Sequence, residues 1–267
     1  MEYTIRQFQL EELNMLKVVA ECLQKNNIPF YLTGGSCIGA LRHKGFIPWD
    51  DDADIAILRK YFDAAELALS KIDGEFFYDS ADKHCIPDAP IGHIFKKNTD
   101  TIESSPKIDI FAIDSVAEGK FARKYQQFCA LVYHVCVLRR PALNRGFLKK
   151  VFTYSICKFL PNRFLNFLQR KSYKGLTKWK DLDTEFVSNF YGVKGKREVV
   201  PRAFFGEPRF VTFEDMQMPI PEKAEEYMTH IYGDFMEFPP EEERVPIHFK
   251  SLCCEDSLDC ENGGIEL

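Results

Sequence analysis

One stretch, residues 31–58, constrains the fold more than any other part of the chain. Its sequence, YLTGGSCIGALRHKGFIPWDDDADIAIL, predicts a short strand, a glycine turn, a short helix, a loop and a second strand. Ser36 is expected to cap the helix, which then runs to about His43. The second strand opens on four acids, Asp50, Asp51, Asp52 and Asp54.

Composition limits the class of protein. The chain has 267 residues and 45% of them are hydrophobic, which is typical of a globular protein with a sizeable core. No apolar run approaches the roughly 18 residues needed to span a bilayer. The first residues, MEYTIRQFQLEELN, lack the apolar segment of a signal peptide. We therefore expect a cytoplasmic protein, with peripheral contact at the inner face of the membrane left open.

Charge is distributed unevenly along the chain. Residues 120–180 carry 15 Lys and Arg and no acid, whereas acids outnumber bases on both sides of them. The segment is also rich in aromatic residues and is predicted to be helical. Two interpretations stand about level: a packed helical subdomain with a solvated basic face, or a surface for anionic lipid or an anionic acceptor. Nucleic acid is not expected as a partner, since no known nucleic-acid module surrounds these charges.

The order of predicted elements indicates an α/β or α+β core, of which we expect α+β. Strands and helices alternate up to about residue 114, and helices dominate afterwards. We expect residues 1–119 to form a catalytic core and 120–180 a helical insert. Residues 181–238 would complete the core, with a helix over 184–190, a hairpin over 209–221 and a helix opening at Pro221. The remaining 239–267 are acidic and expected to be irregular.

The acids suggest divalent-metal chemistry. In a strand, Asp52 and Asp54 would face the same way, roughly 6–7 Å apart, while Asp51 would point to the other face. Two carboxylates on one face can share a cation, and Mg²⁺ favours a few carboxylates together with substrate phosphates. The segment KIDIFAID places a third acid, Asp109, inside another apolar strand, where an unpaired charge would be costly. Asp109 could complete a three-carboxylate site, which would clamp the attacking and leaving oxygens of a phosphoryl transfer.

Acid runs also occur in calcium loops, in solvated turns and in glycosyltransferases. An EF-hand loop would need Gly and Glu where the chain has Ile55 and Tyr61, which excludes it. A solvated turn is disfavoured by Trp49 before the acids and an apolar strand after them. A D-x-D glycosyltransferase binds a diphosphate through a metal, and the acids alone leave that alternative open.

Groups that could contact phosphate precede the acids. A glycine turn at a helix N-terminus lets backbone N–H groups approach a phosphate, so Gly34, Gly35 and Ser36 are candidate phosphate ligands. A basic triplet follows the helix. The triplet consists of Arg42, His43 and Lys44. These residues could complement the dipole of the helix at its C-terminus. Because three cations lie near the proposed diphosphate, we expect at least one of them to bind substrate.

The stretch with the glycines and the acids resembles a known family. GGSCIGALRHKGFIPWDDDADIAI is very similar to the signature of the LicD family, which includes bacterial phosphocholine transferases and the fukutin-type proteins. The similarity continues in KIDIFAID and in FEDMQMPIPEKAEEYMTHIYGDFMEFPPEEERV, whereas residues 120–180 show little that matches. Ser36 stands where the family often has Thr.

The resemblance implies a nucleotidyltransferase-like fold and transfer of a phospho-alcohol group from a CDP-linked donor to a glycan hydroxyl, with release of CMP. Phosphocholine is the donor group we favour, and glycerol and ribitol phosphates stay open. The acceptor would be a cell-surface glycan or its lipid-linked precursor. An enzyme that adds NMP is a further alternative. By match to the motif, Asp52, Asp54 and Asp109 would hold Mg²⁺ or Mn²⁺, and Trp49 and Asp50 would shape the site. Asp109 is the candidate general base, and His43 is its alternative.

Overall fold

The computed structural model of the chain describes residues 4–80, 91–97, 105–139, 147–192 and 194–246, with the backbone alone for 147–150. The described helices are α1 (Ile5–Lys25), α2 (Gly34–Arg42), α3 (Arg59–Leu69), α4 (Lys120–Leu138), α5 (Phe147–Phe159), α6 (Asn162–Leu176) and α7 (Ala224–Tyr232), besides short 3₁₀ turns. The strands are β1 (Tyr31–Leu32), β2 (Ala53–Leu58), β3 (Phe76–Asp79), β4 (Gly92–Lys96), β5 (Lys107–Ser115), β6 (Phe186–Ser188), β7 (Val199–Pro201), β8 (Arg209–Phe213) and β9 (Met216–Ile220).

A mixed sheet forms the centre of the molecule. Its strands run in the order β1-β2-β5-β4-β3, and β6 and β7 extend it from the far end of β5. The pair β2–β5 is parallel and the other neighbours are antiparallel. The remaining strands, β8 and β9, form a separate hairpin, as the sequence predicted. The predicted α+β class is confirmed.

The amphipathic helix α1 covers part of this sheet. Leu13, Leu16 and Leu23 are buried in the main core, which also contains the apolar residues of β2 and β5. Leu10 is 43% exposed, whereas Phe8 and Gln9 just before it are buried, so Leu10 lies outside the buried face of the helix. Residues of α1 on the buried face therefore lie close to the beginnings of β2 and β5.

The predicted helix over 184–190 is wrong. Residues Phe186–Ser188 form β6, which pairs with Asp114 and Ser115 of β5 on one side and with β7 on the other. Backbone pairing with an open sheet edge outweighs the weak helical pattern of so short a segment. The helix expected from Pro221 exists, but it begins at Ala224.

The basic insert is helical, as predicted, and is divided before α6 at Pro161. Its helices share a small core of their own, formed by Val132, Val135, Cys136, Ile156 and Leu165. Gln126 joins the insert to the sheet: its buried amide donates to the carbonyl oxygens of Ser115 (2.7 Å) and Leu176 (3.0 Å). Among the described helices, none combines the length and the apolar character needed to cross a membrane.

A buried ion pair fixes the end of the parallel strands. Arg59 donates to both carboxylate oxygens of Asp114, at 2.7 and 3.0 Å, and both side chains are almost fully buried. The Arg59 guanidinium also lies over the rings of Phe62 (4.8 Å) and Tyr173 (5.8 Å). Although burial lowers the pKa of Arg59, the charge of Asp114 outweighs it and raises the pKa. Arg59 therefore remains charged and links α3, β5 and α6.

We predict that Asp114→Asn lowers the free energy of unfolding by about 3–5 kcal/mol, because it leaves Arg59 charged and buried without its partner. Urea denaturation followed by circular dichroism measures the change. Asp215→Asn is the matched control, since Asp215 pairs with Lys17 at the surface and should shift the midpoint little. Equal effects of the two substitutions would contradict a structural role for the buried pair.

Candidate active site

Two of the predicted metal-binding acids are brought side by side by strand pairing. In the parallel pair β2–β5, Asp54 is the register partner of Asp109. Adjacent strands lie about 4.8 Å apart, and paired residues present their side chains on the same face. On the other side of β5, His93 of β4 is the register partner of Asp109. The sheet thus carries a row of three titratable side chains across three strands.

Asp109 has two hydrogen-bond partners. Its Oδ1 lies 2.8 Å from Nδ1 of His93, and its Oδ2 accepts from Nζ of Lys107 at 2.9 Å. Burial alone would raise the pKa of Asp109, but the hydrogen bonds and charges of His93 and Lys107 outweigh it and lower the pKa. Asp109 is therefore held ionised. Sequence reasoning missed both partners, although Lys107 stands two residues before Asp109 and so shares its strand face.

The glycine pair contacts the carboxylates directly. Gly34 has a φ of +54°, and a Cβ on it would lie 2.3 Å from Oδ2 of Asp54. A Cβ on Gly35 would lie 2.2 Å from Oδ2 of Asp50. Only glycine allows two carboxylates this close to the N-terminus of α2, where the helix dipole favours negative charge. The predicted contact of the glycines with a donor phosphate stays a prediction.

Ser36 has a different local role from the one expected. The helix begins at Gly34 with Thr33 as its N-cap, so Ser36 lies within the first turn rather than capping it. The Ser36 hydroxyl instead accepts a hydrogen bond from the backbone N–H of Asp54 at 2.9 Å. The backbone N–H of Thr33 donates to the carbonyl oxygen of Asp54 at 3.1 Å. These two bonds fix α2 to the start of β2.

The loop before β2 is held by α1. The buried amide of Gln9 donates to the carbonyl oxygens of Ile47 (3.0 Å) and Asp50 (2.8 Å). One turn further along, Glu12 is fully buried. Burial, followed by the charge of Asp52, raises the pKa of Glu12 well above its usual range. The sequence analysis missed both residues. They could have been found as two polar side chains on the apolar face of an amphipathic helix.

The acids differ in their surroundings. β2 begins at Ala53, so Asp52 lies just ahead of the strand, and Asp51 is buried. Burial is the largest cause of a pKa well above the usual range at Asp54, and the charges of Asp52 and Asp109 add to it. Within the described residues, no three His, Cys, Asp or Glu side chains are already arranged as a complete metal-ligand set. The site is a crowded, partly compensated cluster of negative charge.

The basic triplet after α2 is spread out. Arg42 donates to the backbone carbonyls of Phe235 (2.7 Å) and Glu237 (3.0 Å), which fixes the segment after α7. Its Nε donates to Nε2 of His43 at 2.9 Å. Lys44 is exposed and adopts a φ of +60°. Arg42 therefore has a structural role in holding the segment after α7. Contact of the triplet with a substrate stays a prediction.

The chain is similar to a family of known transferases. Residues 27–133 match the family model described as LicD/FKTN/FKRP, nucleotidyltransferase domain. The chain is 27% identical over 258 residues to the lipopolysaccharide cholinephosphotransferase LicD of Haemophilus influenzae, covering 92% of this chain and 97% of that protein. It is 28% identical over 110 residues to the ribitol-5-phosphate transferase FKTN of Macaca fascicularis, covering 39% of this chain and 21% of that one.

A shorter and stronger similarity joins the chain to an uncharacterised protein of Rickettsia prowazekii. The two are 46% identical over 46 residues, which is 17% of each chain. The residues that match the family model include the glycine pair, the acid run and Asp109. The resemblance to the LicD family that residues 34–57 indicated is thereby confirmed over residues 27–133.

Proposed function

We propose that the protein transfers a phospho-alcohol group from a CDP-linked donor to a hydroxyl of a cell-surface glycan or its lipid-linked precursor, releasing CMP. The observation that carries the proposal is the pairing of Asp54 with Asp109 across parallel strands, next to the glycines of α2. The relatives support the class of reaction, since one is named a cholinephosphotransferase and another a ribitol-5-phosphate transferase. Phosphocholine is the group we favour.

We further propose that Asp52, Asp54 and Asp109 hold Mg²⁺ or Mn²⁺. Carboxylate oxygens are the ligands these ions prefer. The raised pKa of Asp54 reflects burial first and then repulsion from neighbouring acids, which a cation would relieve. Lys107 offsets only part of that negative charge. When bound, the ion would supply charge neutralisation at the diphosphate of the donor.

The residues of the chain would act mainly by positioning and charge. The lowered pKa of Asp109 makes it a weak proton acceptor, so the share of catalysis that we assign to general-base chemistry is small. His43 is the alternative base, but its Nε2 already accepts from Arg42. We therefore place most of the rate enhancement in holding the donor and the acceptor hydroxyl in line among fixed charges.

Acid-site substitutions test this directly. We predict that Asp52→Asn lowers Mg²⁺-dependent CMP release from CDP-choline by a factor of about 100 or more, because losing a ligand weakens binding of an ion whose stabilisation of transition-state charge is worth several kcal/mol. The measurement is chromatography of the nucleotide products from a panel of CDP-choline, CDP-glycerol and CDP-ribitol.

Asp73→Asn is the matched control, because Asp73 is exposed between α3 and β3, and this variant should behave as the unaltered chain. Near-normal turnover by Asp52→Asn would refute the site. Release of a nucleoside diphosphate would indicate a glycosyltransferase, and attachment of NMP to the acceptor would indicate a nucleotidyltransferase.

The basic insert is proposed to contact anionic membrane and so bring the enzyme to a lipid-linked acceptor. Exposed aromatic side chains stand beside lysines there: Lys158 lies over the rings of Tyr154 (5.4 Å) and Phe159 (5.6 Å). Phe159 is 71% exposed, so most of its ring faces solvent rather than the core of the insert. Aromatic and basic residues together suit the interface of an anionic bilayer.

We predict that the protein floats with phosphatidylglycerol vesicles in a density gradient and that raised salt releases it. Phe159→Ser should reduce flotation severalfold, because it removes an aromatic anchor without disturbing a packed core. Phe210→Ser is the control, since Phe210 is 53% exposed on the β8–β9 hairpin, outside the insert. Absence of salt-sensitive flotation would leave packing as the only role of the basic insert.

A further inference from the structure

Three aromatic rings form a corner beside the acid loop. Trp49 lies 6.0 Å from Phe238, and His43 lies 6.3 Å from Trp49 and 5.6 Å from Phe238, measured between ring centroids. The His43 ring is tilted by 83° to each of the other two. The three rings thus come from the end of α2, from the acid loop and from the segment after α7. We call them the aromatic corner.

Cations of the protein already occupy this corner. The Arg244 guanidinium lies 5.5 Å from the Trp49 ring and 5.4 Å from the Phe238 ring, and that of Arg42 lies 4.7 Å from Phe238. Aromatic faces attract cations through the ring quadrupole, and tryptophan does so most strongly. The aromatic corner therefore binds cations, and in this structure those cations are the side chains of Arg42 and Arg244.

Arg42 and Arg244 differ in how firmly they are held. Arg42 donates to the carbonyls of Phe235 and Glu237, in addition to His43. Arg244 donates from Nε to the carbonyl oxygen of Pro239 at 2.8 Å, five residues away in its own segment. Among the described residues, no carboxylate forms an ion pair with Arg244. Arg244 is thus the cation that can leave at the smaller cost.

The corner adjoins the acids of the site. Trp49 directly precedes Asp50, whose carboxylate touches Gly35 at the start of α2. Burial, and then the charge of Arg42, lowers the pKa of His43, so its ring is neutral at neutral pH and does not repel a cation. Phe238 is 52% exposed, which leaves the corner open to a ligand.

We propose that the aromatic corner is the binding site for the quaternary ammonium group of a CDP-choline donor, which takes the place of Arg244 against Trp49 and Phe238. The inference rests on the proposed function and names its donor. Alkylammonium ions are bound in proteins by aromatic walls of this kind, whereas neutral glycerol and ribitol groups gain nothing from a ring quadrupole. The corner therefore selects the choline donor.

Fluorescence of Trp49 reports on binding without turnover. The chain has two tryptophans, so Trp179→Phe leaves Trp49 as the sole reporter. Titration with phosphocholine should change its emission saturably. The phosphate ester of 3,3-dimethylbutanol has the same shape without the positive charge, and it should bind at least about tenfold more weakly. Equal binding of the two compounds would overturn the proposal.

Two variants in the same background complete the test. Phe238→Leu keeps the apolar volume, removes the ring and should weaken phosphocholine binding about tenfold. Arg244→Gln removes the internal competitor and should strengthen it severalfold. Unchanged affinity of Phe238→Leu for phosphocholine would refute the binding site. Unchanged or weaker affinity of Arg244→Gln for phosphocholine would refute the displacement of Arg244 by the ligand.

The source of the ammonium group and the proposed reaction are tested separately. CDP-choline should displace phosphocholine, whereas phosphatidylcholine vesicles should not, and displacement by the vesicles alone would overturn the assignment to a donor. Selective phosphocholine binding without CMP release from any CDP-alcohol would refute the proposed function and leave the corner standing. CMP release from CDP-choline with equal binding of the uncharged ester would refute the corner alone.

Discussion

Burial of several carboxylates at the start of two parallel strands determines how the whole site is built. Register places Asp54 beside Asp109, and like charges so close in a buried setting repel strongly. The two acids respond in opposite directions: the pKa of Asp54 is raised, whereas His93 and Lys107 keep that of Asp109 low. Carboxylates arranged in this way repel one another, and a cation bound between them would reduce that repulsion.

Parts of the chain outside residues 27–133 hold the acids in place. Gln9 of α1 fixes the loop before β2, and Arg6 one turn earlier donates to Glu214 at 2.6 and 2.9 Å. Glu214, in the turn of the β8–β9 hairpin, also accepts from the backbone N–H of Phe46. A Cβ on Gly45 would lie 2.4 Å from Oε1 of Glu214, which explains a glycine there. Residues 27–133 are thus supported by elements that precede and follow them in the chain.

Several features of the fold and of the candidate site could be predicted from the sequence, for physical reasons. Alternation of apolar strands and amphipathic helices indicated an α/β or α+β core, and a lone acid in an apolar strand indicated that Asp109 joins the acid run. The start of α2 could not be predicted, because glycines usually interrupt helices and here occupy the first turn to admit carboxylates. Strand β6 was mistaken for a helix because its conformation depends on distant pairing with β5. His93 and Gln9 act across the fold, and no local pattern marks such contacts.

Calorimetric titration of Mn²⁺ into the metal-free protein asks whether the paired acids bind a cation, on which the proposed chemistry rests. We expect saturable binding that Mg²⁺ displaces and that Asp54→Asn abolishes, since Asp54 lies buried among the charges of its neighbouring acids. Mn²⁺ binding that is absent in the unaltered protein, or undiminished in Asp54→Asn, would contradict the assignment of the metal site.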